Sequence, residues 1–237
     1  MQRILATRLP PAPATVLDVG GGAGVHALWL AERGYEVHLV EPVPVQVEQA
    51  RAASNAQPGA PLASVQLGDA RALPFADASA DAVLLLGPLY HLAERAGRIA
   101  ALAEARRVLR PGGALVAIGI SRYAFLLDGL ASGRVFTLPD RLELVTRSVE
   151  TGTVAEPFTT AYLHRPDELV EEVRAVGLEV DELLGVEGPG WLLEQFSRAW
   201  ADARRREILL ELAELVEAER DLVAASTHLL VVARRPS

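Results

Sequence analysis

Residues 16–24 read VLDVGGGAG: an apolar run carrying Asp18, then glycine at 20, 21, 22 and 24. A glycine costs roughly 0.5–1 kcal/mol relative to alanine inside a regular element, so a cluster of them marks a backbone corner. Behind this corner the sequence turns helical. Backbone N–H groups and a helix N-terminus can meet a ligand there, with no Cβ in the way. A tight turn without a ligand is the plain alternative. Two further apolar runs also end in acids, YEVHLVE in Glu41 and ASVQLGD in Asp69. The dinucleotide fingerprint G-x-G-x-x-G fails: counted from Gly20 and Gly22 its third position is Val25, and counted from Gly21 its second is Ala23. The spacing is instead acid-x-G-x-G-x-G, through Asp18, Gly20, Gly22 and Gly24.

Composition removes several chemistries. All 23 basic residues are arginine, which excludes Schiff-base and P-loop lysines. There is no cysteine, hence no disulfide, thiol catalysis or cysteine zinc site. The five histidines are scattered at no metal-ligand spacing, so no metal is expected. The net charge of −8 and the lack of a basic stripe argue against nucleic acid as partner. No apolar run approaches the ~18 residues of a membrane span, so a cytoplasmic protein without a membrane partner is expected.

These residues need elements to hold them. The 237 residues, half of them hydrophobic, suffice for one sizeable core. Short apolar runs at 15–20, 35–41, 63–69, 80–87 and 114–120 read as strands. Helical patterns fill 25–33, 44–55 and about 93–110. This alternation predicts an α/β fold, a parallel sheet with helices on both faces. Residues 1–14, with Pro10, Pro11 and Pro13, read as a lead-in. The rhythm breaks over 121–163, where Tyr123, Phe125, Phe136, Phe158 and Tyr162 are interspersed with Gly and Pro. This segment reads as an insertion above the C-terminal edge of the sheet, where open α/β sheets bind ligands. The pattern then resumes: a helix over 166–177, a strand over 178–188, a long helix with room for a break over about 192–223, and a last strand over 227–235.

VLDVGGGAGVHALWLAERGYEVHLVEP resembles the first two motifs of the class I S-adenosylmethionine-dependent methyltransferases, and LGDARALPFADASADAVLLLGPLYHL resembles the third and fourth. The likeness covers residues 15–120, more loosely the remainder, and is closest to the small-molecule group (type 11-like) that includes ubiquinone-biosynthesis C-methyltransferases. It implies a Rossmann-like, seven-stranded, mostly parallel sheet with an antiparallel last strand. It also implies one domain over 1–237: a cofactor-binding core at 15–120, a substrate-capping insertion at 121–163 and C-terminal completion of the sheet at 164–237.

It further implies S-adenosylmethionine as cofactor, with S-adenosylhomocysteine as product. Gly20, Gly21 and Gly22 would let the main chain pass close to its methionine part, and Asp18 would fix the loop and the amino group. Glu41 would accept from both ribose hydroxyls, with Pro42 against the sugar or adenine. Asp69 would take the adenine amino group, the Ala70 N–H would face a ring nitrogen, and Gly87 would leave room for the methionine moiety. Tyr90 and His91 lie where a proton acceptor is wanted; packing is their plainer role. Tyr123, Tyr162, His164 and Trp191 are candidates for a substrate pocket, and His26 for the cofactor's carboxylate or for solvent. The N-P-P-[YF] signature of methylation on planar nitrogen is absent. The expected reaction is methyl transfer to a small-molecule oxygen or nitrogen acceptor. The rivals are a non-catalytic cofactor-binding or assembly protein and a nicotinamide-dependent oxidoreductase. A homodimer is compatible with all three.

Overall fold

The computed structural model describes residues 1–156 and 159–237, so the expectation for Phe158 lies outside the described residues. In chain order the elements are α1 (Gln2–Arg8), β1 (Thr15–Val19), α2 (Val25–Ala31), β2 (Glu36–Glu41), α3 (Pro44–Asn55), β3 (Ser64–Leu67), β4 (Ala80–Leu85), α4 (Pro88–His91), α5 (Arg95–Val108) and β5 (Leu109–Ser121). There follow α6 (Ala124–Ala131), α7 (Arg134–Thr137), α8 (Arg141–Thr151), β6 (Thr153–Glu156), β7 (Thr159–His164), α9 (Pro166–Ala175), β8 (Glu179–Gly185), α10 (Phe196–Ala201), α11 (Ala203–Val216) and β9 (His228–Arg234).

The strands form one mixed sheet with the order β3-β2-β1-β4-β5-β9-β8. β3, β2, β1, β4 and β5 pair parallel; β9 lies antiparallel between β5 and β8. That is the expected seven-stranded Rossmann-like arrangement. Two strands are additional. β6 and β7 form an antiparallel hairpin, and β7 joins the tip of β5 through Ile120↔Leu163 and Ser121↔His164. Ile120 also faces His228 of β9, so β7 occupies the β5 edge that β4 has left.

Alternation sorts the core into two layers. Leu17, Val83, Leu85, Leu115, Ala117 and Val231 point to one face, against Ala101, Leu102 and Ala105 of α5 and Leu169 and Val173 of α9. Val16, Leu39, Leu84, Val116, Ile118 and Leu230 point to the other, against Ile4 and Leu5 of α1, Ala27 and Leu30 of α2 and Ala50 of α3.

Two expectations are corrected, and the break for which the helix over 192–223 left room is located. Residues 1–14 are more than a lead-in, because burial of Ile4 and Leu5 holds α1 as a helix. The long helix over 192–223 is divided, because the Asp202 carboxylate accepts from the Arg205 N–H at 2.8 Å and starts α11 as a separate helix. The fifth strand begins at Leu109 rather than 114. Its Pro-Gly-Gly segment bulges out between the pairs Ala80↔Leu109 and Ala82↔Ala114, with Gly112 at φ +79°.

Candidate functional site

β1 delivers the chain to the glycine corner at the C-terminal edge of the sheet. The Gly20 N–H donates to the Val40 carbonyl at 2.7 Å, tying the corner to β2. Gly20 has φ +70°, and a Cβ there would stand 2.7 Å from Cγ of Pro88. Glycine is thus required twice over, by backbone conformation and by contact with α4. A Cβ on Gly21 would stand 2.6 Å from Oδ2 of Asp18. Asp18 lies directly beneath the loop, 1% exposed, and neither carboxyl oxygen has a hydrogen-bond partner among the described residues. Burial pushes its pKa up to about 7, against a pull from the Ala27 backbone.

Glu41 closes β2 and is buried. Its Oε2 accepts from the Gly22 N–H and its Oε1 from the Val43 N–H, each at 3.0 Å. A carboxylate has about four lone-pair sites, so each oxygen retains acceptor capacity. Asp69, beyond β3, is gripped by Arg71: Nε donates to Oδ1 at 2.9 Å, Nη2 to Oδ2 at 2.6 Å, and the Arg71 backbone N–H to Oδ1 at 2.8 Å. The Arg71 side chain holds the Asp69 pKa below its ordinary value, overcoming the opposite effect of burial. Sequence reasoning missed Arg71, although an acid followed two residues later by arginine was a visible signal.

These residues converge on a cleft of about 530 Å³ lined by Gly20, Gly22, Glu41, Pro42, Asp69, Ala70, Gly87, Tyr90 and His91. Gly87 ends the fourth strand's run, and a Cβ on it would stand 3.3 Å from the Gly20 carbonyl. The Tyr90 hydroxyl faces the Leu86 carbonyl at 3.4 Å, and burial raises its pKa. Asp18 and Gly21 stand behind the cleft wall rather than on it.

The four aromatic substrate candidates are not part of this cleft. His164 is fully buried, 3.3 Å from Glu172. Tyr162 lies under the Arg98 guanidinium, 3.6 Å from the ring centroid. The Tyr123 hydroxyl accepts from Arg165 at 2.7 Å, and Trp191 Nε1 donates to the Ala225 carbonyl at 2.8 Å. Each has a partner that explains its position as packing. Tyr123 and Tyr162 of the insertion are engaged by Arg165 and Arg98, His164 and Trp191 lie beyond it, and none of the four lines the cleft, so the expectation that they do is corrected.

A second cavity, about 410 Å³, adjoins the cleft and takes in His26, Leu86, Glu187 and His228. Leu86 and Gly87 are consecutive, one on each cavity. Sequence reasoning missed Glu187 and His228. They are 41 positions apart and meet only because β8 and β9 pair, with Nδ1 of His228 2.6 Å from Oε1 of Glu187. Among the described residues no cluster of metal-ligating side chains exists, and no helix is long and apolar enough to cross a membrane.

Comparison with known proteins adds to this geometry. A family model described as "Methyltransferase domain" matches residues 17–117. An uncharacterized methyltransferase of Mycobacterium tuberculosis is 34% identical over 161 residues, 66% of this chain and 58% of that one. The alignment therefore spans less than two thirds of that relative. A demethylmenaquinone methyltransferase of Deinococcus radiodurans is 34% identical over 178 residues, 73% of this chain and 70% of that one. In three dimensions, a solved S-adenosylmethionine-dependent methyltransferase of Mesorhizobium loti superposes with a TM-score of 0.66 at 18% identity, over 98% of this chain and 96% of that one. At that identity the likeness is one of fold.

Proposed function

The chain belongs to the class I S-adenosylmethionine-dependent methyltransferases, and from that membership we propose that it transfers a methyl group to oxygen or nitrogen of a small molecule. The observation that carries the reading is Glu41: a buried carboxylate at a strand tip, with one backbone N–H fixed on each oxygen and acceptor capacity left over. The residues fit the cofactor. Glu41 would take the ribose hydroxyls, Pro42 would lie against the sugar, Asp69 would meet the adenine amino group, and Ala70 its ring. Gly20, Gly22 and Gly87 leave the backbone bare where the methionine part must pass. Asp18, with two unpartnered oxygens under Gly21, suits a charged amino group reached directly or through water.

When bound, the cofactor supplies an electrophilic methyl group on a sulfonium centre. The protein's work is alignment and, for acceptors that carry a proton, its removal. Both expected residues line the cleft; His91 remains a candidate for that task, whereas burial makes the Tyr90 phenol hold its proton and leaves it a pocket wall. A net charge of −8 favours a small-molecule acceptor over nucleic acid.

Calorimetry with S-adenosylhomocysteine tests the cofactor, with NAD(P)H as the competing ligand. Binding of the first and not the second is expected; the reverse would return the chain to the oxidoreductase reading. Transfer of labelled methyl to any small acceptor then separates an enzyme from a protein that only holds the cofactor.

A further inference from the structure

The second cavity lies where the strands present their C-terminal edge. Leu86 follows β4, Val186 and Glu187 follow β8, and His228 begins the antiparallel β9. The two cavities meet at a shared wall: Tyr90 lines the cleft, and its ring centroid is 6.5 Å from that of His228. Most of the second cavity's other walls are apolar, formed by Leu86, Ile118 and Val186 with Phe196 and Trp200, whose rings stack 5.6 Å apart at 23°; Met1 also lines it, and its α-amino group acts electrostatically on Glu187 and His26. Such walls suit a flat apolar ring system.

The polar equipment is narrow. Oε2 of Glu187 accepts from the Ser226 hydroxyl at 2.6 Å and from the His228 backbone N–H at 3.0 Å, while Oε1 faces Nδ1 of His228. Burial opposes ionisation of Glu187, yet the bond to His228 and the others outweigh it and hold its pKa below the ordinary value. An ionised carboxylate only accepts, so Nδ1 of His228 donates in this contact, and Nε2 of the neutral imidazole is then the nitrogen left to accept from the occupant. That is a base oriented by a third group. His26 lines the same cavity, and its buried Nδ1 has no partner among the described residues, which suits a second polar atom on the occupant.

We propose that this cavity holds the methyl acceptor, that the acceptor is an aryl hydroxyl on an apolar skeleton, and that His228 takes its proton while Glu187 holds the imidazole. A phenol, with a pKa near 10, is within reach of an imidazole; a carboxylate needs no base, and an aliphatic alcohol is far too weak an acid. In this step the acceptor oxygen forms the O–CH3 bond as the S–CH3 bond breaks. Sulfur keeps that electron pair, and the hydroxyl proton passes to Nε2 of His228. The inference rests on the methyl-transfer reading, and its test separates the two.

The probe is 1-naphthol, titrated by tryptophan fluorescence with and without S-adenosylhomocysteine. Binding that quenches Trp200 is expected. Ala213→Phe, which fills the cavity, should weaken it at least tenfold. His228→Gln should keep naphthol affinity within about threefold while slowing methyl transfer to naphthol about 100-fold at neutral pH. Its residual rate should rise steadily with pH as the naphthol ionises unaided. Glu187→Gln, a milder change, should lower kcat with KM unchanged. Naphthol binding indifferent to Ala213→Phe, or transfer at the native rate in both His228→Gln and Glu187→Gln, would overturn the proposal. So would no naphthol binding in either titration. Loss of S-adenosylhomocysteine binding alone would strike the cofactor reading, because naphthol binding still decides for or against the cavity.

Discussion

Glu41 and Asp69 end neighbouring strands yet sit in different electrostatic company. Two backbone N–H groups fix Glu41, whereas the Arg71 fork already engages Asp69. Glu41→Ala should therefore weaken S-adenosylhomocysteine binding by about 1–3 kcal/mol, read by calorimetry. An unchanged affinity would remove the residue from the site. Asp18 makes a prediction of opposite sign to most carboxylates. Its folded pKa of about 7 lies above the unfolded value of 3.8, so the folded state holds the proton more tightly. Its contribution to stability is fully present below pH 4 and is lost as pH rises to about 7. Comparing native protein with Asp18→Asn across that window by denaturant unfolding should show a relative loss of about 2–4 kcal/mol in the native protein alone. A parallel pH dependence in both would mean Asp18 is already ionised. The acids at the strand tips were legible because a strand that ends in a carboxylate leaves a local mark. His228 with Glu187 left none, since neither residue has a distinctive neighbour in sequence.

At the scale of elements, α5, α9 and β7 are joined by buried polar chemistry. Arg98, 1% exposed, donates to both oxygens of Glu172, 3% exposed, and His164 of β7 reaches the same carboxylate. Burial would raise the Glu172 pKa, but the bonds to His164 and Arg98 outweigh it and hold it down to about 2. A folded pKa below the unfolded 4.5 stabilises above pH 4.5, and that contribution fades as pH falls towards 2. Glu172→Gln strands the Arg98 charge in the interior, so a loss of about 3–5 kcal/mol in denaturant unfolding is expected. A change under 1 kcal/mol would show that water reaches the pair. This network is why Tyr162 and His164, read as pocket residues from sequence, pack instead. An aromatic near an insertion looks the same whether it packs or binds, and only the arginine over Tyr162, 64 positions away, decides.

The whole molecule answers to its ligand. A ligand that binds only the folded state stabilises it by about 2.7 kcal/mol at 100 times its Kd. For a chain of this size that amounts to a rise in Tm of about 5–10 °C with S-adenosylhomocysteine. No shift at saturating ligand would contradict the cofactor assignment. The strands, the helices on both faces and the family were already written in the sequence, because apolar runs, glycine corners and terminal acids are local patterns with short-range physical causes. Tertiary structure alone decided that α1 is a helix, that the insertion's aromatics pack, that Arg71 closes on Asp69, and that β8 and β9 set Glu187 beside His228. Those outcomes depend on which distant surfaces are buried together, and burial is a property of the folded chain that no single window of residues contains.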